Sequence, residues 1–227
     1  MKTKAKLQNF KSLFISSVLF ILLLSTAQSQ FKYSVNFGVG FVLPDFTEFN
    51  TAISDSGLSK LGATWLPTTF DFSYKVYPSF RVGFFRHSNS LIKNKSSQDF
   101  SLVIKFTGIY AQSFFTFLNK FEAFFGLAPM IGKTDFSQSP TKVPATTTPF
   151  QFTTDSEAGM YNRFLAFYAM GGVRYYLLSF LALEGSVGYL NAFFSGDNWK
   201  SEGNEINFKS KIDLDKPVAN FGIVLGW

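Results

Sequence analysis

Eight charged residues stand within segments that are otherwise aromatic, aliphatic or small, and they are the first candidates for chemistry. They are Lys32, Asp71, Lys75, Arg81, Lys105, Glu122, Arg174 and Glu184. Charges withdrawn from water must be paired and hydrogen-bonded, so such a set predicts a salt-bridged cluster. Two other interpretations stay open: a polar constriction in a small pore, or an acid–base pair such as Glu122 with Glu184.

His87 is the second candidate, because it is the one histidine of the chain and Ser88 and Asn89 follow it. The stretch resembles the His-x-Ser-Asn stretch of outer-membrane lipid A deacylases, in which histidine activates serine as a nucleophile. Here His87 and Ser88 are adjacent, and adjacent side chains of a strand point to opposite faces. We therefore predict no catalytic residue and no enzyme. With one histidine and no cysteine, we also expect no metal site and no cofactor.

Composition limits the class of protein. Of 227 residues, 31 are Phe, 9 Tyr and 3 Trp, and only 16% are charged, which excludes a disordered chain.

The first 29 residues predict a cleaved secretory signal peptide: four lysines, an apolar run over 13–24, then small residues with cleavage after Ala27 or Ser29. Without that segment the chain has 17 basic and 15 acidic residues, a net charge of +2 that does not indicate nucleic acid as a partner.

The elements that would position the charges are strands, since hydrophobicity alternates with period two. Eight segments show it: 31–42, 68–77, 80–87, 100–107, 121–132, 165–177, 181–189 and 219–227. The predicted apolar faces include Phe31, Tyr33 and Phe37 in the first segment and Leu102, Ile104 and Phe106 in the fourth. In the segment 100–117 we expect a phase slip between Gly108 and Phe115. Pro129 interrupts the fifth segment and predicts a bulge or a position at the outer rim.

The connectors alternate in length. Tight turns are predicted at Pro78–Ser79, Leu118–Lys120 and Leu178–Ser179, a medium connector at 88–99, and long loops at 43–66, 136–160 and 195–216. Short turns on one side and long loops on the other are typical of bacterial outer-membrane barrels. The apolar residues of the first loop (Phe46, Phe49, Leu58, Leu61 and Trp65) either bind a partner or pack over the barrel mouth.

Residue size indicates which face points outward. An eight-stranded interior has just enough room for side chains, so the bulky aromatic face should contact lipid and the small, polar and charged face should line the lumen. Aromatic residues also gather near the tight turns, as in membrane-interface girdles. They are Tyr33, Tyr77, Phe80, Phe117, Phe121, Tyr175, Tyr176, Phe180 and Trp227.

The chain resembles the small eight-stranded outer-membrane barrels, the OmpA-like transmembrane and OmpW-like group. Its ending, with Phe221, Ile223, Leu225 and Trp227 at alternate positions, resembles the C-terminal signal read by the barrel-assembly machinery. The resemblance implies a single all-β domain over 30–227, an eight-stranded antiparallel up-and-down transmembrane barrel with both ends in the periplasm. It implies outer-membrane lipid and the assembly machinery as partners.

Three functions stay open at this point. The first is a non-enzymatic outer-membrane protein with a sealed lumen, whose long loops serve surface interaction or envelope stability. The second, suggested by the OmpW-like resemblance, is passage of a small or hydrophobic solute. The third is a part in a secretion assembly.

Overall fold

The computed structural model describes residues 31–55, 60–62, 64–95, 98–118, 120–139, 159–201, 203–206 and 208–227. The predicted signal peptide lies outside these residues. The elements are β1 (Tyr33–Val42), α1 (Thr47–Asp55), β2 (Thr68–Tyr77), β3 (Phe80–Lys95), β4 (Gln98–Phe117), β5 (Phe121–Ser139), β6 (Gly159–Leu178), β7 (Leu181–Ala192), β8 (Lys200–Ser201), β9 (Asn204–Glu205) and β10 (Lys216–Gly226). In the described part of the chain, no helix has the length and apolar character needed to cross a membrane.

Eight long strands, β1 to β7 and β10, close into a barrel within the described residues. Neighbours in sequence pair antiparallel, β10 pairs with both β7 and β1, and the β5–β6 pairing completes the circle. The two-residue strands β8 and β9 form a small hairpin against the start of β6. The predicted eight-stranded antiparallel up-and-down barrel is confirmed.

Side chains alternate between lumen and outer surface along β4 from Ser101 to Phe117, without a slip. Ile104, Phe106, Gln112 and Thr116 are all even-numbered and all buried. The sequence prediction of a phase change after Gly108 is therefore wrong, and so is the outward placement of Leu102, Ile104 and Phe106. The strand keeps its period, and only the chemistry of each face changes along its length.

That change of chemistry divides the barrel into two levels. Near the tight turns the outer face is apolar, with Phe125 and Leu127 60% and 56% exposed, and the lumen is polar. Near the long loops the order reverses on β4 to β6: the lumen holds Phe106, Phe136 and Phe164, and the outer face of these strands carries charges. The upper level of this wall is thus built like a soluble barrel, with polar residues outside and apolar residues inside.

Two connectors differ from the sequence prediction. The medium loop predicted at 88–99 does not form, because β3 runs to Lys95 and β4 begins at Gln98, paired throughout. The loop predicted at 136–160 is shorter within the described residues, since β5 extends to Ser139 and β6 begins at Gly159; residues 140–158 lie outside them.

Pro129 lies in the middle of β5 and causes no bulge, contrary to the prediction. The β4–β5 register is the same on both sides of it, with Gly108 opposite Met130 and Ala111 opposite Leu127. Proline lacks an N–H, so the ladder skips this point without shifting. The register shifts of the described wall lie at Lys75–Tyr77 and Tyr176–Leu178, next to the tight turns.

The first long loop folds over the barrel mouth. Asp45 accepts hydrogen bonds from the backbone N and hydroxyl of Thr47 at 2.8 and 2.6 Å, which fixes the start of α1. Phe46, Phe49 and Ile53, spaced three and four apart, are buried on one face of the helix segment. Of the two interpretations of this loop, the structure shows packing over the mouth; Leu58 lies outside the described residues.

Candidate functional site in the barrel lumen

A buried charge cluster crosses the lumen near the tight turns. Glu122, Arg174 and Glu184 occupy directly opposed positions on β5, β6 and β7. Arg174 donates from Nε and Nη2 to Glu184 Oε2 at 3.0 and 2.6 Å, and its Nη1 lies 3.8 Å from Glu122 Oε1. Glu122 is fully buried and Arg174 is 1% exposed. Cross-strand register therefore builds three of the four members.

Arg81 joins the cluster from β3, across the intervening strand β4. Its Nη2 donates to Glu122 Oε1, and its guanidinium lies 4.4 Å from the centroid of the Phe114 ring. Tyr176 Oη donates to the other oxygen of Glu122 at 2.7 Å. A carboxylate held by two arginines and a phenol is well compensated for its burial.

A second polar layer lies above the cluster, around a cavity of about 30 Å³. Tyr110 Oη donates to Asp71 Oδ1 at 3.0 Å, and Asn36 Nδ2 donates to Glu184 Oε1 at 3.0 Å, which links the two layers. Asn220 Nδ2 donates to the hydroxyl of Tyr168 at 2.8 Å. A polar cavity of this size has room for one or two water molecules.

Aromatic side chains fill the lumen from there to the mouth. Phe85 and Tyr168 meet 6.2 Å apart between centroids, and Phe106 and Phe164 lie 5.7 Å apart above them. Trp199 and Phe49, both fully buried, cover the mouth with centroids 5.8 Å apart. The Trp199 indole N–H donates to Ser210 O at 2.8 Å, which holds the last long loop inside the mouth.

The structure brings six of the eight predicted charges to the inward-facing side. Four of them (Arg81, Glu122, Arg174 and Glu184) form the cluster, Asp71 belongs to the second layer, and half-buried Lys75 lies in the inward phase of β2.

The other two predictions are corrected. Lys32 is exposed, because it precedes β1 and lies at the end of the barrel wall. At this point Lys32 N and Tyr33 N both donate to Trp227 O, each at 3.0 Å. Phe31 is buried beneath the barrel instead, 5.0 Å from the Tyr176 ring. Lys105 lies on the outer face of β4, where its Nζ is 3.8 Å from Asp135.

The catalytic alternatives gain no support from this geometry. Glu122 and Glu184 both accept from arginines, which leaves neither poised to move a proton. His87 lines the lumen cavity, 5.9 Å from the Tyr168 ring, whereas Ser88 belongs to the outward phase of β3. The sequence places this stretch at the end of the third strand, and that prediction is wrong. The stretch lies within β3, because the strand continues to Lys95.

Sequence reasoning missed the uncharged members of the lumen site. Tyr176, predicted in the aromatic girdle, lies in the lumen and is 2% exposed. Gln112 and Asn36 are buried there too, each with an amide oxygen that has no hydrogen-bond partner among the described residues. Tyr176 lies two residues after Arg174 on the same strand, so the alternation of side chains already indicated that it faces the lumen. The rest of the predicted girdle includes Tyr33 stacked on Trp227 at 6.0 Å.

Comparison with known proteins shows likeness in structure only. No protein-family model matches the chain, and no curated protein matches it. The barrel is similar to Neisserial surface protein A, with a TM-score of 0.52 at 11% identity over 86% of this chain and 97% of that one. It is also similar to the attachment invasion locus protein Ail of Yersinia pestis (TM-score 0.47, 11% identity, 86% and 95% covered) and to OprG of Pseudomonas aeruginosa (0.45, 13%, 86% and 95%). The fold is that of the small outer-membrane β-barrels.

Proposed function

We propose that this chain is an integral protein of the bacterial outer membrane. The apolar outer band supports this location. On β5 it runs over the eleven residues from Phe121 to Ile131, or about 34 Å along the strand and about 25 Å along the axis of a barrel with ~45° tilt. That height matches the apolar band of outer-membrane barrels. The tight turns and both described termini lie at one end, which we assign to the periplasm.

Within that membrane, we propose that the lumen is sealed and that the protein acts through its surface rather than by transport or catalysis. The observation that carries this proposal is the double closure: Glu122 with Arg81 and Arg174 at the lower level, and Trp199 on Phe49 at the mouth. Opening a path past the lower level would break a buried ion pair, at a cost of about 3–5 kcal/mol.

The described part of the chain at the long-loop end forms a packed head. Within the described residues it comprises the upper ends of β3 to β6, α1 and the segment that follows β7. A backbone bridge joins the first and last loops, with Asp45 N donating to Asp213 O at 2.9 Å and Asp213 N to Asp45 O at 3.0 Å. A rigid surface loses little entropy on binding. We therefore assign this head to surface interaction or envelope stability.

Planar-bilayer recording tests the sealed lumen. Purified protein, shown to be folded by its heat-modifiable migration on gels, is inserted into bilayers in 1 M KCl. We expect no stable conductance steps, while an open porin in the same bilayers gives the usual steps. Stable steps from the folded wild-type protein would overturn the sealed lumen and favour solute passage.

A further inference from the structure

Three amide oxygens at the lumen cavity have no hydrogen-bond partner among the described residues. They are Asn36 Oδ1, Gln112 Oε1 and Asn220 Oδ1, and all three residues line the cavity of about 30 Å³. Asn36 is 7% exposed and Gln112 is 4% exposed. A buried acceptor without a donor costs free energy, so these oxygens indicate a group in the cavity that they can bind.

Hydrogen bonds fix the orientation of two of these amides. Asn36 Nδ2 donates to Glu184 Oε1 at 3.0 Å, and Asn220 Nδ2 donates to the Tyr168 hydroxyl at 2.8 Å. In each amide the oxygen is therefore the end without a partner. The inward-facing Gly222 leaves room for one of them, because a Cβ at this position would collide with Asn36 Oδ1. Both amides present an acceptor, and not a donor, to the lumen.

Asp71 adds a carboxylate to the same cavity wall. It lies directly opposite Asn36 across the β1–β2 pairing and accepts a hydrogen bond from Tyr110 Oη at 3.0 Å. It forms no ion pair with any residue that the structure describes. His87, also on the cavity wall, contacts the rings of Phe85 and Tyr168 instead.

The lumen arginines are held by other carboxylates. Arg81 pairs with Glu122, and Arg174 pairs with Glu184 at 2.6 Å. Of the two carboxylates that line the cavity, Glu184 is thus compensated and Asp71 is not. A carboxylate enclosed in the lumen requires a positive partner, and Asp71 lies beside three amide oxygens that also require one.

We infer that the lumen cavity binds one alkali metal cation through the Asp71 carboxylate and the three amide oxygens. Oxygen atoms are the ligands of hard cations, and carbonyl oxygens can replace the hydration shell of an alkali ion. A space that holds a water molecule also holds such an ion. One uncompensated carboxylate matches one positive charge rather than two.

This site uses oxygen ligands alone, whereas the expectation of no metal site considered histidine and cysteine. It would lie in the lumen whether the barrel acts through its surface or by transport. The cation site is therefore independent of the proposed function, and the bilayer recordings and the experiment below can fail separately.

Urea unfolding at constant ionic strength tests the site. The folded barrel in detergent micelles is unfolded while Na⁺ replaces choline, an organic cation too large for the cavity, at constant chloride. Screening of surface charges then stays the same, and binding of Na⁺ to the folded state changes stability. Asp71→Asn removes the charge, and Gln112→Met removes one amide oxygen at similar volume. Asp197→Asn, which changes an exposed loop carboxylate, is the matched control.

For the wild-type protein and Asp197→Asn, we expect the folding equilibrium constant to rise about tenfold for each tenfold increase in Na⁺ above the dissociation constant, as binding of one ion requires. Asp71→Asn should show no dependence on Na⁺. Gln112→Met should need roughly tenfold more Na⁺ for the same gain. In crystals grown with Tl⁺, which replaces alkali cations and scatters anomalously, we expect one peak beside Asp71 in the wild-type protein and none in Asp71→Asn.

Equal stability of the wild-type protein in Na⁺ and in choline would overturn the site, because water or a proton on Asp71 would then satisfy the cavity. An equal dependence on Na⁺ in wild type and Asp71→Asn would also overturn it, since the ion would bind elsewhere. A larger gain from Ca²⁺ than from Na⁺ at equal concentration would overturn the assignment to a monovalent ion. If Asp71→Asn does not fold, Gln112→Met decides, and an unchanged dependence on Na⁺ in that variant counts against the site.

Discussion

Arg174 on β6 and Glu184 on β7 face each other across the lumen side of the wall and are joined by two charge-assisted hydrogen bonds, at 3.0 and 2.6 Å to the same carboxylate oxygen. The guanidinium also reaches Glu122 on the other side, so one arginine ties β5 to β7. The lower closure of the barrel is therefore made by the wall's own register rather than by an inserted segment.

Removing the central carboxylate should be costly. In Glu122→Gln the cations of Arg81 and Arg174 lose their shared partner while staying buried, so we expect the free energy of unfolding to fall by about 3–5 kcal/mol. Urea unfolding in detergent micelles, followed by heat-modifiable migration, measures it. Glu205→Gln, an exposed carboxylate on β9, is the control and should change stability by less than about 0.5 kcal/mol. Equal midpoints for the two variants would contradict the pairing.

Lipid contact should follow the alternation of β2 and β10. Because the chain has no cysteine, single cysteines at Phe72, Ser73 and Ile223 can be spin-labelled one at a time. Phe72 and Ile223 are 39% and 48% exposed on the outer face, whereas Ser73 is 2% exposed in the lumen. In liposomes we expect oxygen to broaden the first two signals strongly and the Ser73 signal weakly. The reverse pattern would mean that the bulky face is not the lipid face.

The head should depend on Trp199. The substitution Trp199→Ala removes a fully buried ring that contacts Phe49, Phe194 and Phe208. We therefore expect the free energy of local unfolding of the head to fall by about 3–5 kcal/mol. Trypsin should then cleave more readily at Lys209 and Lys211. Phe193→Ala, which truncates a ring that is 61% exposed on the outer face, serves as the comparison and should leave the cleavage rate unchanged. Similar cleavage in both variants would show that Trp199 does not hold the loop.

The junction of the two outer loops should loosen in acid. Hydrogen bonds from Thr47 hold the pKa of Asp45 below its usual value, and the hydrogen bond from Lys216 lowers that of Asp213. A lowered folded-state pKa stabilises the fold above the unfolded value of about 3.9, and this contribution is lost as pH falls through the folded value. A nitroxide at Thr51 on α1 should therefore keep its mobility from pH 7 to 5 and become more mobile below about pH 4.

The matching variant is Asp45→Asn, which cannot titrate at that position. It should show higher mobility at neutral pH and a smaller change on acidification. A wild-type signal that is unchanged down to pH 3 would indicate that neither carboxylate contributes to the junction.

The amino-acid sequence by itself determined the number of barrel strands, their antiparallel order and the face shared by Arg81, Glu122, Arg174 and Glu184, because period two fixes which residues lie on one side of a strand. It also located the tight turns, since proline and short polar breaks end the alternation there.

Only the tertiary structure decided the polarity of each face at each level. In β4 the even-numbered side chains point inward and the odd-numbered side chains point outward. Leu102 and Ile104 therefore lie in the lumen, whereas Lys105 and, nearer the tight turns, Phe115 lie on the outer face. The sequence pattern records alternation, but which side is apolar depends on whether that level of the wall borders hydrocarbon or water. That boundary is set by how far β3 to β6 extend above their neighbours, and the alternation within a single strand does not contain it.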